Sequence, residues 1–174
     1  MIKTKNINLL VSTSRYNETN ANAELWFTLL ICGDEFPIIT KLTFPGLTSA
    51  LSNIGGKKII QRIRDILIKD PHFFQFILKI IPIDYVCETN TKIIVNLIQE
   101  HYKAYISDHD SFKIILKRRN NERIERVNLI ERVANVIDNK VDLEEPDKII
   151  RIEVLGNFCG VSFLNKNDII RITK

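Results

Sequence analysis

Cysteine is scarce in this chain: Cys32, Cys87 and Cys159 are the only three among 174 residues. They lie far apart and form no CxxC pair, so neither a zinc site nor a disulfide framework can be drawn from them. They read as small buried apolar side chains in a reducing compartment. Long apolar runs are missing too, and nothing approaches the ~20 residues that cross a bilayer. Near the start, Asn6 and Asn8 interrupt the only apolar stretch, which is not the pattern of a secretion signal. The expectation is a cytoplasmic protein without a membrane partner.

The spacings of familiar active sites are also lacking. His72, His101 and His109 make neither HExxH nor HxE. There is no GxSxG and no GxxxxGK[ST]. The acids between Asp142 and Asp147 do not follow the EF-hand loop. His101 falls at helical spacing with Ile94, Leu97 and Ile98, the place of a partly buried structural histidine. No enzyme, no metal and no cofactor is expected.

What is present is apolar content of 45%, enough for a packed core, with a mild net charge of +4. The distribution of charge says more than its sum. Ser111–Arg132 holds seven Lys/Arg against three Asp/Glu, whereas Asp138–Asp147 holds five acids and one lysine. A basic stretch beside an acidic turn implies one face built for phosphate and another turned away from it.

The periodicities order the first half as strand, helix, strand, strand, helix. Asn8–Ser14 is a Leu/Val-rich strand. A helix capped at Thr19 or Asn20 carries Leu25, Trp26, Leu29 and Leu30 up to Gly33. Phe36–Thr43 and Leu47–Ser52 are strands around Pro45-Gly46. Gly55-Gly56 opens a helix bearing Ile59, Ile60, Ile63, Ile66 and Leu67, which Asp70-Pro71 stops. The second half begins with an apolar strand, Phe73–Pro82, and continues with a helix from Thr91 to Tyr105. Phe112–Arg119 follows as a strand with Phe112, Ile114 and Leu116 on one side and Lys113, Ile115, Lys117 and Arg119 on the other. A helix from Glu125 to Ile137 is expected to bury Val127, Ile130, Val133, Ala134 and Ile137. Strands at Ile149–Leu155, Gly160–Leu164 and Ile169–Ile172 close the chain. The boundary is placed near Asp70–His72.

Three segments of the second half resemble a THUMP domain, in the right order. They are Lys79-Ile80-Ile81-Pro82-Ile83-Asp84, then Phe112–Arg119 with its basic end, then Val141-Asp142-Leu143-Glu144-Glu145-Pro146-Asp147 leading into Ile150-Arg151-Ile152-Glu153-Val154 and a glycine. The third segment is the most specific. Where relatives commonly carry a His- or Thr-bearing turn, this chain has Asn120-Asn121. The resemblance implies an α+β fold, with an N-terminal ferredoxin-like unit (residues 1–72) packed on a C-terminal THUMP domain (residues 73–174). It also implies a grip on tRNA at the acceptor stem and 3′ end. With no room for a catalytic domain, the layout looks like the stand-alone subfamily whose eukaryotic members are tRNA-binding adaptors for the cytidine N4-acetyltransferase.

Phosphate binding needs several cations on one face. Lys117, Arg118 and Arg119 at a strand end, with Arg123 and Arg126 at the start of the next helix, fit that need. The positive end of the helix would add to it. Lys113, on the strand, and Lys79, in the first matching segment, join this set. Lys57 and Lys58 after Gly55-Gly56 form a possible anion nest, though a plain glycine turn is the commoner reading, and Arg15 is weaker still. Phe73, Phe74 and Tyr102 are candidates to stack on unpaired bases, with core packing the commoner fate. The plainer alternative for the basic stretch is a solvated strand end paired with Glu122 or Glu125. For the whole protein, the alternatives are an RNA-binding subunit for tRNA methylation or thiolation, an RNA-modifying enzyme with an unfamiliar site, or a ferredoxin-like regulator of a small ligand.

Overall fold

The computed structural model describes residues 6–173. In chain order the elements are β1 (Leu9–Thr13), α1 (Glu18–Ile31), β2 (Ile38–Lys41), β3 (Leu47–Leu51), α2 (Gly56–Lys69), β4 (Ile77–Pro82), β5 (Tyr85–Glu88), α3 (Thr91–His101), β6 (Phe112–Arg119), α4 (Arg126–Asn135), β7 (Lys148–Leu155), β8 (Phe158–Leu164) and β9 (Ile170–Arg171). They form two compact units, one from Asn6 to Ile83 plus the segment from Asn167, the other from Asp84 to Lys166.

In the first unit, β1-α1-β2-β3-α2-β4 builds an antiparallel sheet of order β2-β3-β1-β4, with β9 added beyond β4. This is the ferredoxin-like arrangement. Period-two alternation turns Leu9, Val11, Ala50 and Ile80 toward Leu25 and Leu29 of α1 and Ile59, Ile60 and Ile63 of α2. Each such aliphatic side chain contributes about 1.5–3 kcal/mol on leaving water. Gly56 sits where α2 approaches the Asn8 carbonyl so closely that a Cβ would lie 2.4 Å from that oxygen. Arg64 of α2 donates to the carbonyls of Asn167 and Ile169, tying the C-terminal segment to this unit.

In the second unit the sheet order is β5-β8-β7-β6, with β6 and β7 parallel and the other neighbours antiparallel. Ile94 and Ile98 of α3 and Leu129 and Val133 of α4 pack on one face, against Phe112, Leu116, Ile150, Ile152, Val161 and Phe163. β6 is an edge strand, yet its start is covered: Phe112 donates to Lys140 and accepts from Asp142 across a short parallel bridge. The acidic segment behind that bridge is a connector, folded on Asp142, whose carboxylate accepts from Glu144 and Glu145 at 3.0 Å each.

Several expectations shift. The strand placed at Phe73–Pro82 begins only at Ile77, because the Glu24 carboxylate accepts the N–H groups of Gln75, Phe76 and Ile77 at 2.6, 3.0 and 2.8 Å. β4 pairs with β1, so the division falls after Ile83, not near Asp70–His72, and the last strand returns to the first unit. β5 is a strand that the periodicity did not show. The helix from Thr91 ends at His101 and closes with a 3₁₀ turn over Tyr102–Ala104. Trp26 is half exposed, and α1 buries Ala21 and Thr28 beside its leucines. On α4 the buried stripe runs through Leu129 and Val133, while Val127, in the first turn, is exposed.

Candidate nucleic-acid interface

β6 is apolar for its first five residues apart from Lys113, and then runs out of the core into Lys117, Arg118 and Arg119, all exposed. Alternation divides these cations. Phe112 and Leu116 face the helices, so Arg118 projects on that side, whereas Lys113, Lys117 and Arg119 project on the other. They do not form a single face. Arg118 donates from its Nη1 to the Ile124 carbonyl, and Arg126 reaches back from α4 to the Leu116 carbonyl at 3.0 Å. Both arginines therefore commit donors to the backbone.

The start of α4 is not an open anion site. Glu125 caps it, accepting from Val127 at 3.0 Å and from Asn128 at 2.7 Å. Those two backbone bonds hold the Glu125 carboxyl below its usual value, with the Arg118 charge adding less. The helix end attracts a carboxylate of this chain in place of a phosphate.

Between β6 and α4 the chain turns through Asn120, at φ 49°, a left-handed conformation that asparagine tolerates. The Asn121 side chain holds the turn: its NH₂ donates to the Gly156 carbonyl at 3.0 Å, and its oxygen accepts from Arg123 and Ile124 at 3.0 and 3.3 Å. This brings the turn beside the β7–β8 hairpin and the end of β5. A groove of about 670 Å³ opens there, lined by Glu88, Thr89, Asn120, Asn121, Glu122, Arg123 and Asn157. The Thr89 hydroxyl is buried and has no hydrogen-bond partner among the described residues. Donors, acceptors and one guanidinium thus share a concave surface next to exposed Lys117 and Arg119. Its lining sets the carboxylates of Glu88 and Glu122 against the Arg123 guanidinium, so the groove itself offers polar contacts and the surplus of positive charge lies on the strand end beside it.

The remaining basic candidates lie in the other unit. Lys57 and Lys58 begin α2, half-buried and exposed respectively, and Lys79 is half-buried on β4 in register with Ser12 and Arg171. Gly56 is explained by the close approach to Asn8, which is the glycine-turn reading. Phe74 and Tyr102 are buried, and Phe73 meets Phe74 edge-to-face at 5.1 Å, so core packing claims them. His101 stacks on Tyr85 with centroids 4.3 Å apart. Arg151 and Glu153 form a buried pair on β7, Nε to Oε1 2.7 Å, which removes Arg151 from any ligand surface. Sequence reasoning missed Glu88, Thr89 and Asn157. Only Gly156-Asn157 left a trace, as a hairpin-turn dipeptide. Among the described residues no group of three His, Cys, Asp or Glu is placed to hold a metal ion, and no helix is long and apolar enough to cross a membrane.

Residues 88–164, from the end of β5 to the end of β8, match the family model of the THUMP domain. That segment of the chain is similar to a THUMP domain. The matched region lies within the second unit and includes the Asp142 connector. The chain is 33% identical over 116 residues to a THUMP domain-containing protein 1 homolog of Drosophila melanogaster, an alignment covering 63% of this chain and 35% of that protein. The chain thus spans about a third of the length of that curated relative. Among solved structures, PH1313 from Pyrococcus horikoshii Ot3 superposes with a TM-score of 0.72 at 14% identity, covering 95% of this chain and 55% of that one. A 4-thiouridine synthetase–RNA complex with bound ATP superposes with a TM-score of 0.60 at 12% identity, covering 95% and 42%. At these identities the structural likeness shows the fold. The THUMP domain and the ferredoxin-like unit before it match the α+β architecture implied by the resemblance.

Proposed function

We propose that this THUMP protein is a tRNA-binding adaptor that holds the acceptor stem and 3′ end and assists a separate modifying enzyme, the cytidine N4-acetyltransferase. The observation that carries the reading is the groove at the end of β6. There Arg123 and the amides of Asn120 and Asn157 stand with the unpaired Thr89 hydroxyl, beside Lys117 and Arg119. Duplex RNA closes its deep groove to side chains, so a protein reads its shape, its backbone and its unpaired ends. Lys117, Arg119 and Lys113 take the stem phosphates, and Arg123 takes a phosphate of the unpaired end. Arg118 and Arg126 contribute charge while bracing the turn. Lys79, Lys57 and Lys58 are further contacts supplied by the first unit. None of these steps is chemistry on the RNA, and the reading assigns no catalytic role to this chain.

The similarity to a 4-thiouridine synthetase solved with RNA supports RNA binding and favours one second reading, an RNA-binding subunit for thiolation. Two measurements test these readings. The first compares the affinity of the purified chain for whole tRNA and for tRNA trimmed of its unpaired 3′ nucleotides. The proposal expects trimming to weaken binding by tenfold or more, and equal affinity would remove the 3′ end from the site. A small-ligand regulator predicts no salt-sensitive tRNA affinity at all. The second is nucleoside mass spectrometry of tRNA from cells lacking the gene. Loss of N4-acetylcytidine supports the acetyltransferase partner, and loss of a thiolated nucleoside supports the second reading.

A further inference from the structure

The ferredoxin-like unit contains a concave site that the groove reading leaves unused. After β1 the chain reverses in a turn closed by Asn17 N–H donating to the Ser14 carbonyl at 3.1 Å. Tyr16, the third residue of that turn, has φ 72°. Glycine or asparagine normally fills a left-handed position in a turn, because a Cβ there crowds the following carbonyl. A tyrosine is strained in that place, and no burial compensates, since its side chain is 95% exposed. Backbone strain of this kind concentrates at ligand sites.

Tyr16 stands on a pocket of about 400 Å³, within the range of small-ligand sites. Arg15 and Lys41 line it as cations, and buried Phe44 contributes apolar surface. Its polar groups are partly fixed. Glu18 accepts from Gly46 N–H at 2.7 Å through Oε1, and the Asn22 oxygen accepts from Thr48 Oγ1 at 2.5 Å. The Glu18 carboxylate is held further by the backbone N–H groups of Glu18 and Tyr16, and the Asn22 NH₂ is placed to meet a ligand's acceptors. An exposed flat ring, two cations and an amide–carboxylate pair around one small pocket match the parts of a nucleotide: an aromatic base with amino and ring-nitrogen groups, and a phosphate.

We propose that this pocket binds one unpaired nucleotide, its base stacked on Tyr16 and its phosphate held by Arg15 and Lys41. Stacking on an exposed aromatic ring tolerates any base and is stronger for purines, and the two cations make the contact sensitive to salt. The inference extends the RNA-binding reading to the other unit but does not depend on it, because no residue of the THUMP groove takes part.

The test is a titration of the ¹⁵N-labelled full chain with adenosine monophosphate and, separately, with hexa-adenylate, followed by amide shifts. The expected result is movement of amides in residues 15–22 and 41–48. Saturation by the monophosphate identifies a free-nucleotide site, whereas response to the oligonucleotide alone identifies a strand site. Y16F is expected to bind as the parent does. Y16G is expected to bind about tenfold more weakly while its melting temperature stays level or rises, because glycine relieves the strained turn. Unmoved amides with both probes at millimolar concentration would overturn the proposal, as would parental affinity in Y16G. The trimmed-tRNA comparison depends on the other unit, so the two readings can fail separately.

Discussion

At the scale of single residues, carboxylates shape the loops at the two ends of β6, and their pH response exposes this. Glu125 caps α4, and Asp142 and Asp147 fold the acidic connector. Asp147 accepts from the Ser111 N–H at 2.8 Å and from its hydroxyl at 3.0 Å. Bonds to backbone N–H groups hold all three carboxyls below their ordinary values, led by Asn128 for Glu125, Glu145 for Asp142 and Ser111 for Asp147. The folded state therefore gives up these protons more readily than the unfolded chain. The stabilisation is complete above the ordinary values of 4.5 for Glu and 3.8 for Asp, and is lost as pH falls through the lower folded values. E125Q should be less stable than the parent near neutral pH, with the gap closing on acidification below 4.5. Urea melts across that range check it, and a pH-independent gap would remove the cap's charge from the account. Gly56 makes the opposite kind of demand, for space. G56A places a methyl 2.4 Å from the Asn8 oxygen, and overpacking on that scale costs about 1–3 kcal/mol in a melt.

Elements show how far sequence pattern reaches. α2 was legible because Ile59, Ile60 and Ile63 repeat at helical spacing and are all buried. β6 was legible through the alternation that places Phe112 and Leu116 in the core. α4 was legible as a helix, with Val133 and Ile137 buried and Ile130 against the core as expected, but its first turn was misassigned. Val127, in the first turn, is exposed, and Leu129 is buried there with Val133. L129A should therefore lose about 2–5 kcal/mol by cavity formation, whereas V127A changes little. Equal losses would contradict the observed phase. β5 escaped notice because four residues are too few to display a period. The Glu24 clamp was invisible for a different reason: its partners lie 51–53 residues away, and no local rule connects a helical glutamate to Gln75, Phe76 and Ile77. The groove shares that property. Thr89, Asn120 and Asn157 come from three separate segments, and only the strand order β5-β8-β7-β6 and the Asn121 bond to Gly156 bring them together.

For the whole molecule, the two compact units separate two kinds of basic residue. Arg123 lines the groove of the second unit, with Lys117 and Arg119 on the strand end leading into it, while Lys57, Lys58 and Lys79 belong to the ferredoxin-like unit. The residue types at the strand end were readable in sequence, but their division between two faces of β6 and the capping of α4 by Glu125 depended on the fold. If the strand end and the turn after it hold phosphates, removing their charge must weaken tRNA binding by reducing counterion release, without disturbing Arg118 and Arg126, which brace the backbone. The most direct measurement is tRNA affinity over a salt series for the parent and for the triple variant K117E/R119E/R123E, with folding checked by melting temperature. The account predicts an unchanged melt, at least a tenfold loss of affinity at low salt, and a log–log salt slope shallower by about three. A folded variant that keeps the parent's affinity and slope would contradict it.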